Sequence, residues 1–214
     1  MSLAAAMGAL ALTATSANAA LLAIDINNGA SPTETGFVGQ NTSGVVHATT
    51  AGNITVSFTG QQAHHDRGAS GGVNNDLYRD FIFENNTGNS PDITLTLTGP
   101  GVAASTDYIL TFYAYDSGDN SRRTGIAGIS GTTGTTLGPV INLATGVPDT
   151  LDEYAVTGTF TSDGAGTLTF GIDGLPGGGE RTVLNGFQLE AVPEPSTTAL
   201  LGLGGLALIL RRRK

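Results

Sequence analysis

Cysteine and tryptophan are both absent from the 214 residues. The first absence excludes a disulfide scaffold, a thiolate zinc site and a cysteine nucleophile. The second leaves Tyr and Phe as the only large rings. Lysine is missing until Lys214, and histidine occurs only at positions 47, 64 and 65. Between residues 20 and 192 there are five Arg and 17 Asp or Glu, a net charge of −12 for that stretch. Five scattered arginines make no basic track, so a nucleic-acid backbone is excluded as a partner. Also missing are G-x-S-x-G, Walker A, H-E-x-x-H and a G-x-G-x-x-G in strand–helix context. The ordinary signatures of nucleophilic, nucleotide-dependent and zinc-hydrolytic catalysis are therefore lacking, and the expectation is a protein that is not an enzyme. Glycine, by contrast, is plentiful: 32 residues, about twice the usual share.

Long apolar runs occur only at the two ends. Residues 1–19 carry no ionisable side chain and close on Ala17-Asn18-Ala19. An apolar core of about ten residues followed by an A-x-A pattern is the form of a secretory signal peptide, here without a basic residue ahead of the core. At the other end, Val192-Pro193-Glu194-Pro195 precedes an uncharged, Gly- and Leu-rich run up to Leu210, and Arg211-Arg212-Arg213-Lys214 follows. Two prolines stop a preceding strand. The apolar run is slightly short of the roughly 17–25 residues of a spanning helix, and the basic residues recover length by snorkelling. Their charge keeps that end cytoplasmic and places the acidic body outside.

Pro193-Glu194-Pro195, the apolar run and the Arg211, Arg212, Arg213 cluster resemble the PEP-CTERM sorting signal of Gram-negative bacteria. The resemblance implies recognition by an exosortase, a membrane transpeptidase, after a signal peptidase has acted on the N-terminus. It also implies transient residence in the inner membrane, and a host that makes exopolysaccharide and biofilm matrix. The expected organisation is thus a signal peptide (1–19), a body (20–191) and a sorting signal with a transmembrane helix (192–214). A plain C-terminal anchor without processing is the alternative, and it too exports the body.

The body has the period of two that marks strands. Leu22-Ala23-Ile24-Asp25-Ile26, Ile54-Thr55-Val56-Ser57-Phe58, Ile93-Thr94-Leu95-Thr96-Leu97 and 108–115 alternate. Further strands are expected at 45–48, 125–130, 137–141, 154–161, 168–172 and 184–191, about ten in all. Residues 75–83 suit either a short helix or a loop leading into a strand at 81–83. The expected fold is all-β, an antiparallel jelly-roll-type sandwich. Its expected core is Ile24, Ile26, Val56, Phe58, Leu95, Leu97, Leu110, Phe112, Phe160, Phe170, Phe187 and Leu189. The strand Leu22 to Ile26, the run Ser105-Thr106-Asp107-Tyr108 entering 108–115, Gly158-Thr159-Phe160 and Leu184-Asn185-Gly186-Phe187-Gln188-Leu189 resemble the galactose-binding-like sandwiches. That group includes many carbohydrate-binding modules, which implies a polysaccharide partner.

His64-His65-Asp66-Arg67 is the densest polar cluster, and it suits ligand binding, metal ligation or acid–base work. Adjacent residues on a strand point to opposite faces, and Asp66 and Arg67 equally suit loop ion pairs involving Arg79 or Asp80. Tyr113 and Tyr115, on the outward face of 108–115, complete the candidate ligand-binding set. Asp116, Asp119 and Asn120, on the tight turn Asp116-Ser117-Gly118-Asp119-Asn120, offer oxygens to a hard cation, a structural Ca2+. Asp25, Asn27 and Asn28 form a similar, weaker cluster. An ordinary hairpin turn with Asx caps is the plainer reading. The function expected is a non-catalytic surface or matrix protein associated with exopolysaccharide. A carbohydrate-active enzyme on a jelly-roll scaffold needs two facing carboxylates, and a calcium-stabilised structural module is the third reading.

Overall fold

Where apolar and polar residues alternate, the backbone runs as strands that bury one side. A computed structural model describes residues 20–68, 76–85, 91–117, 124–125, 128–131, 148–173 and 181–192. Ala20–Val192 form one compact unit. The described residues contain fourteen strands and no helix. In chain order these are β1 (Leu22–Ile26), β2 (Val38–Gln40), β3 (Val45–Thr49), β4 (Gly52–Thr59), β5 (Ala63–Asp66), β6 (Asp80–Glu84) and β7 (Ile93–Thr98). They continue with β8 (Asp107–Tyr113), β9 (Thr124–Gly125), β10 (Gly128–Gly131), β11 (Ala155–Thr161), β12 (Leu168–Asp173), β13 (Arg181–Leu184) and β14 (Gly186–Ala191).

Three sheets result. The first has the order β11-β8-β14-β1-β2, the second β10-β12-β7-β4-β3, and a small third sheet β5-β6-β13-β9. All pairs are antiparallel except β1–β2 and β13–β9, which are parallel; the expectation of a purely antiparallel arrangement is corrected at those two edges. A parallel neighbour needs a crossover, and the loop between Ile26 and Val38 supplies it for β2.

Alternation in sequence becomes alternation in burial. Ile54, Val56 and Phe58 of β4, Ile93, Leu95 and Leu97 of β7, and Tyr108, Leu110 and Phe112 of β8 are buried, while Thr55, Ser57, Thr94, Thr96, Ile109 and Thr111 between them are half-buried. Phe112 and Phe160 of the first sheet meet Phe170 of the second edge to face, at centroid distances of 5.4 and 4.9 Å. Such aromatic pairs add about 0.5–1.5 kcal/mol each beyond their buried area. All twelve residues expected in the core are in it.

The first sheet is covered on its outer side as well, which the alternation did not announce. All five residues of β1 are buried. Residues 76–79 form a turn rather than a helix and lay Leu77 and Tyr78, both fully buried, over that side. Tyr78 packs edge-on against Tyr113, Tyr115 and Tyr154 at 6.4, 5.5 and 6.1 Å. Its hydroxyl donates to the Leu151 carbonyl at 2.6 Å. At Gly186 a Cβ would stand 2.3 Å from the Ile24 carbonyl oxygen and 2.9 Å from Leu77 Cδ1, so only glycine lets β14, β1 and the turn close on one another.

The single strand expected at 184–191 is two strands in different sheets. Asn185 makes the break. Its N–H donates to the Tyr113 carbonyl at 2.9 Å and its carbonyl accepts from Ile26 at 2.7 Å. Its side chain accepts from the Tyr115 N–H at 2.5 Å and donates to the Asp80 carbonyl at 2.7 Å. The strand expected at 125–130 is likewise divided into β9 and β10, and that at 137–141 lies outside the described residues.

Candidate functional site

The third sheet brings two arginines that are far apart in sequence, Arg67 and Arg181, to one carboxylate. On β5, His64 and His65 point to opposite faces, as a strand requires. His64 turns inward, packs edge-on against Phe58 at 5.9 Å, and leaves Nε2 without a hydrogen-bond partner. Burial lowers its pKa below the usual 6.5. His65 turns to the other face, tilted over Phe81 at 5.5 Å and edge-on to Phe83 at 6.1 Å. Its pKa is also lowered, first by burial and then by the Arg67 guanidinium.

Cross-strand register extends this face. Ala63 stands opposite Phe83, His65 opposite Phe81, and Val183 opposite Phe83. Arg67 lies over the Phe81 ring at 5.8 Å and Arg181 over Phe83 at 4.7 Å, the cation–π arrangement that guanidinium planes favour. Both guanidiniums converge on Asp116. Arg67 Nε donates to Oδ1 at 2.8 Å and its second nitrogen to Oδ2 at 3.1 Å, and Arg181 reaches Oδ2 at 3.2 Å. Arg181 Nε also donates to Asn85 Oδ1 at 2.8 Å, and Asn85 Nδ2 to Gln62 Oε1 at 2.6 Å. A row of hydrogen bonds, Arg67–Asp116–Arg181–Asn85–Gln62, thus runs over an aromatic floor with His65 between.

Asp66 does not pair with Arg67. It takes Arg79 in a two-point bond at 2.9 and 2.8 Å, and this bond holds its carboxyl below the usual carboxylate range. Asp66 stands opposite Asp80 across the β5–β6 ladder, and the guanidinium offsets that like-charge contact.

Tyr113 and Tyr115, expected on an outward face, are 1% and 4% exposed. The turn at 76–79 covers them, which corrects their place in the ligand-binding set. Tyr113 donates its hydroxyl to Gln188 Oε1 at 3.0 Å, and burial raises the pKa of both phenols. The calcium turn is corrected at Asp116, whose side chain is fully buried and bound by two arginines. A cation there would have to displace both. Asp119 and Asn120 lie outside the described residues, as do Arg122 and Arg123. No group of three or more His, Asp or Glu suited to a metal occurs among the described residues. Arg181 and Asn85 were not singled out in the sequence. Neither lies near the cluster at 64–67 in the sequence, and the pairing of β13 with β6 brings Arg181 to the row.

Comparison with known proteins turns on the C-terminus. Residues 191–214 match the family model of the PEP-CTERM protein-sorting motif. The chain carries a PEP-CTERM sorting signal. A PEP-CTERM signal implies export and processing by an exosortase. Its motif residues Pro193, Glu194, Pro195, Arg211, Arg212 and Arg213 lie outside the described residues, and no helix among the described residues is long and apolar enough to cross a membrane. No curated protein matches the PEP-CTERM chain. Among solved structures, 81% of it aligns with a chain of the plant peptide RALF23 in complex with FER and LLG2, at 13% identity and a TM-score of 0.44. The alignment spans 40% of that longer chain.

Proposed function

We propose that this is a non-catalytic protein of the cell surface or extracellular matrix of a Gram-negative bacterium. The observation that carries the reading is the sorting motif at residues 191–214. In this reading a signal peptidase removes residues 1–19. The apolar run after Pro195 lodges as a helix in the inner membrane until an exosortase acts near Pro193-Glu194-Pro195. The body folds outside as a jelly-roll sandwich and associates with exopolysaccharide in a biofilm matrix.

The row on the third sheet supports the polysaccharide part. Exposed amides at Gln62 and Asn85, with the partly buried guanidiniums and imidazole beside them, are donors that take up sugar hydroxyls, and His65 offers a ring between them. The net charge of −12 over residues 20–192 repels polyanions, so the glycan is a neutral one. Affinity electrophoresis of the full chain through gels containing neutral polysaccharides checks this. Retardation by at least one of them is expected, and Arg181→Gln and Asn85→Ala should weaken it about tenfold, the loss of about 1.4 kcal/mol of hydrogen bonding. Mobility that is flat across every polysaccharide overturns the glycan reading.

A further inference from the structure

Asp25 and Asp80 are carboxylates to which no described arginine is bonded. Both are fully buried. Asp25, on β1, accepts the Glu34 N–H on Oδ2 at 2.7 Å, and its Oδ1 has no hydrogen-bond partner. Asp80, which opens β6, has none on either oxygen. The Ser31 hydroxyl and the Asn28 N–H stand near enough to ease its charge, yet the Ser31 hydroxyl is bonded to the Asn28 carbonyl at 2.8 Å. The charges acting on Asp25 are those of Asp80, Glu34 and Asp76, all of the same sign. Those acting on Asp80 are Asp66 and Arg79, and Arg79 is already bound to Asp66 through two nitrogens.

A third buried residue shares the pattern. Asn27 is 4% exposed. Its Nδ2 donates to the carbonyls of Ser31 and Pro32 and to Thr33 Oγ1 at 3.1, 2.9 and 3.2 Å, winding the loop after β1 around it, while Oδ1 is left without a partner. That same loop supplies the Glu34 N–H to Asp25 and approaches Asp80 through Asn28 and Ser31. Four unpartnered buried oxygens therefore belong to one loop and the two strands beside it. Buried polar atoms in native proteins are almost always satisfied. A proton shared between the carboxyls would satisfy at most two of the four, whereas a calcium ion takes six to eight oxygens in an irregular shell.

We propose that Asp25 and Asp80 hold one calcium ion, with neutral oxygens of the loop at 27–31 filling out its shell. The ion supplies the missing partner, cancels the repulsion between the carboxyls, and pins the loop after β1 to the start of β6. This assignment goes beyond the glycan reading and does not depend on it.

Calcium titration of the EDTA-stripped full chain in detergent, by calorimetry and by thermal unfolding, provides the test. One ion per chain is expected, with Tm higher in calcium than in EDTA by about 5 °C. The variants Asp80→Asn and Asp25→Asn/Asp80→Asn should lose calcium binding. Their Tm in EDTA should equal or exceed that of the parent, since the amides remove the repulsion, and a cooperative transition shows that they fold. Asp149→Asn, in an exposed loop, should keep the full calcium response. A parent chain that takes up no calcium overturns the proposal, and so does a response unchanged in the double variant. A Tm in EDTA that rises as pH falls from about 8 to about 5, together with no calcium uptake, overturns the proposal in favour of a shared proton, because carboxyls with raised pKa in the folded state stabilise it when protonated.

Discussion

Asp116 shows how far a residue's neighbours in sequence differ from its neighbours in space. Beside Asp119 and Asn120 it reads as a cation ligand, but its partners Arg67 and Arg181 are 49 and 65 positions away. Nothing in the spacing of single residues encodes such a meeting; it is made by β5 and β13 flanking β6. The carboxylate is fully buried while the two arginine side chains keep 24% and 12% exposure. Removing one member of a fully buried pair costs about 3–5 kcal/mol, and water reaching the guanidiniums reduces the loss. Asp116→Asn is therefore expected to destabilise the body by about 2 kcal/mol. Arg181→Met keeps an aliphatic stem over Phe83 and leaves Arg67 on Asp116, so about 1 kcal/mol is expected. Urea unfolding with an unchanged slope checks both numbers through the shift of the midpoint. Equal losses in the two variants would show that packing over Phe83, rather than the charge on Asp116, holds the row.

At the scale of elements, legibility follows length and one-sidedness. Strands β1, β4, β7, β8, β11 and β12 stand in the sequence where alternation places them, because each has at least five residues and one side against the common core. Strands β2, β5, β9 and β13 have two to four residues, too few for a period to register. Three of these, β5, β9 and β13, build the third sheet with β6, and that sheet carries the candidate row, so the fold was more legible than the site. The break at Asn185 was hidden for another reason. A residue leaving one sheet for another looks apolar on both sides, and what marks it is four hydrogen bonds to distant backbone. Gly186, beside it, offers the sharpest test of the packing there. Gly186→Ala drives a methyl to 2.3 Å from the Ile24 carbonyl oxygen, in the middle of the first sheet, and about 3 kcal/mol of destabilisation is expected from such overpacking. Gly164→Ala meets nothing within 4 Å, and a change within about 0.5 kcal/mol is expected. Thermal unfolding of the pair, side by side, separates a tight backbone approach from a general intolerance of side chains at glycine.

For the whole molecule, the place of the last strand links the fold to export. In the order β11-β8-β14-β1-β2 the middle strand is β14, the last in sequence, and it pairs with β1, the first. Its ladder with β8 runs to Ala191, where the sorting motif begins. The first sheet therefore cannot close until residue 191 has joined it, and a chain threaded across a membrane from its N-terminus reaches that point only when the sorting motif arrives. The described strand pairs of the first sheet end at Ala191. A chain ending after Val192 is thus expected to unfold at the same temperature as the full chain, within about 2 °C. One ending after Phe187 loses Leu189, a fully buried core residue, and four of the six residue pairs between β14 and β8. Deleting a buried leucine alone costs about 2–5 kcal/mol, a large part of the roughly 5–15 kcal/mol that holds a domain together, so the shorter chain should show no cooperative transition at all. The cleavage proposed near Pro193-Glu194-Pro195 would then fall just outside the last residue of the described ladder. A cut a few residues earlier would break the central strand of the first sheet, and comparing the two truncations by circular dichroism melts decides whether the boundary lies where the ladder ends.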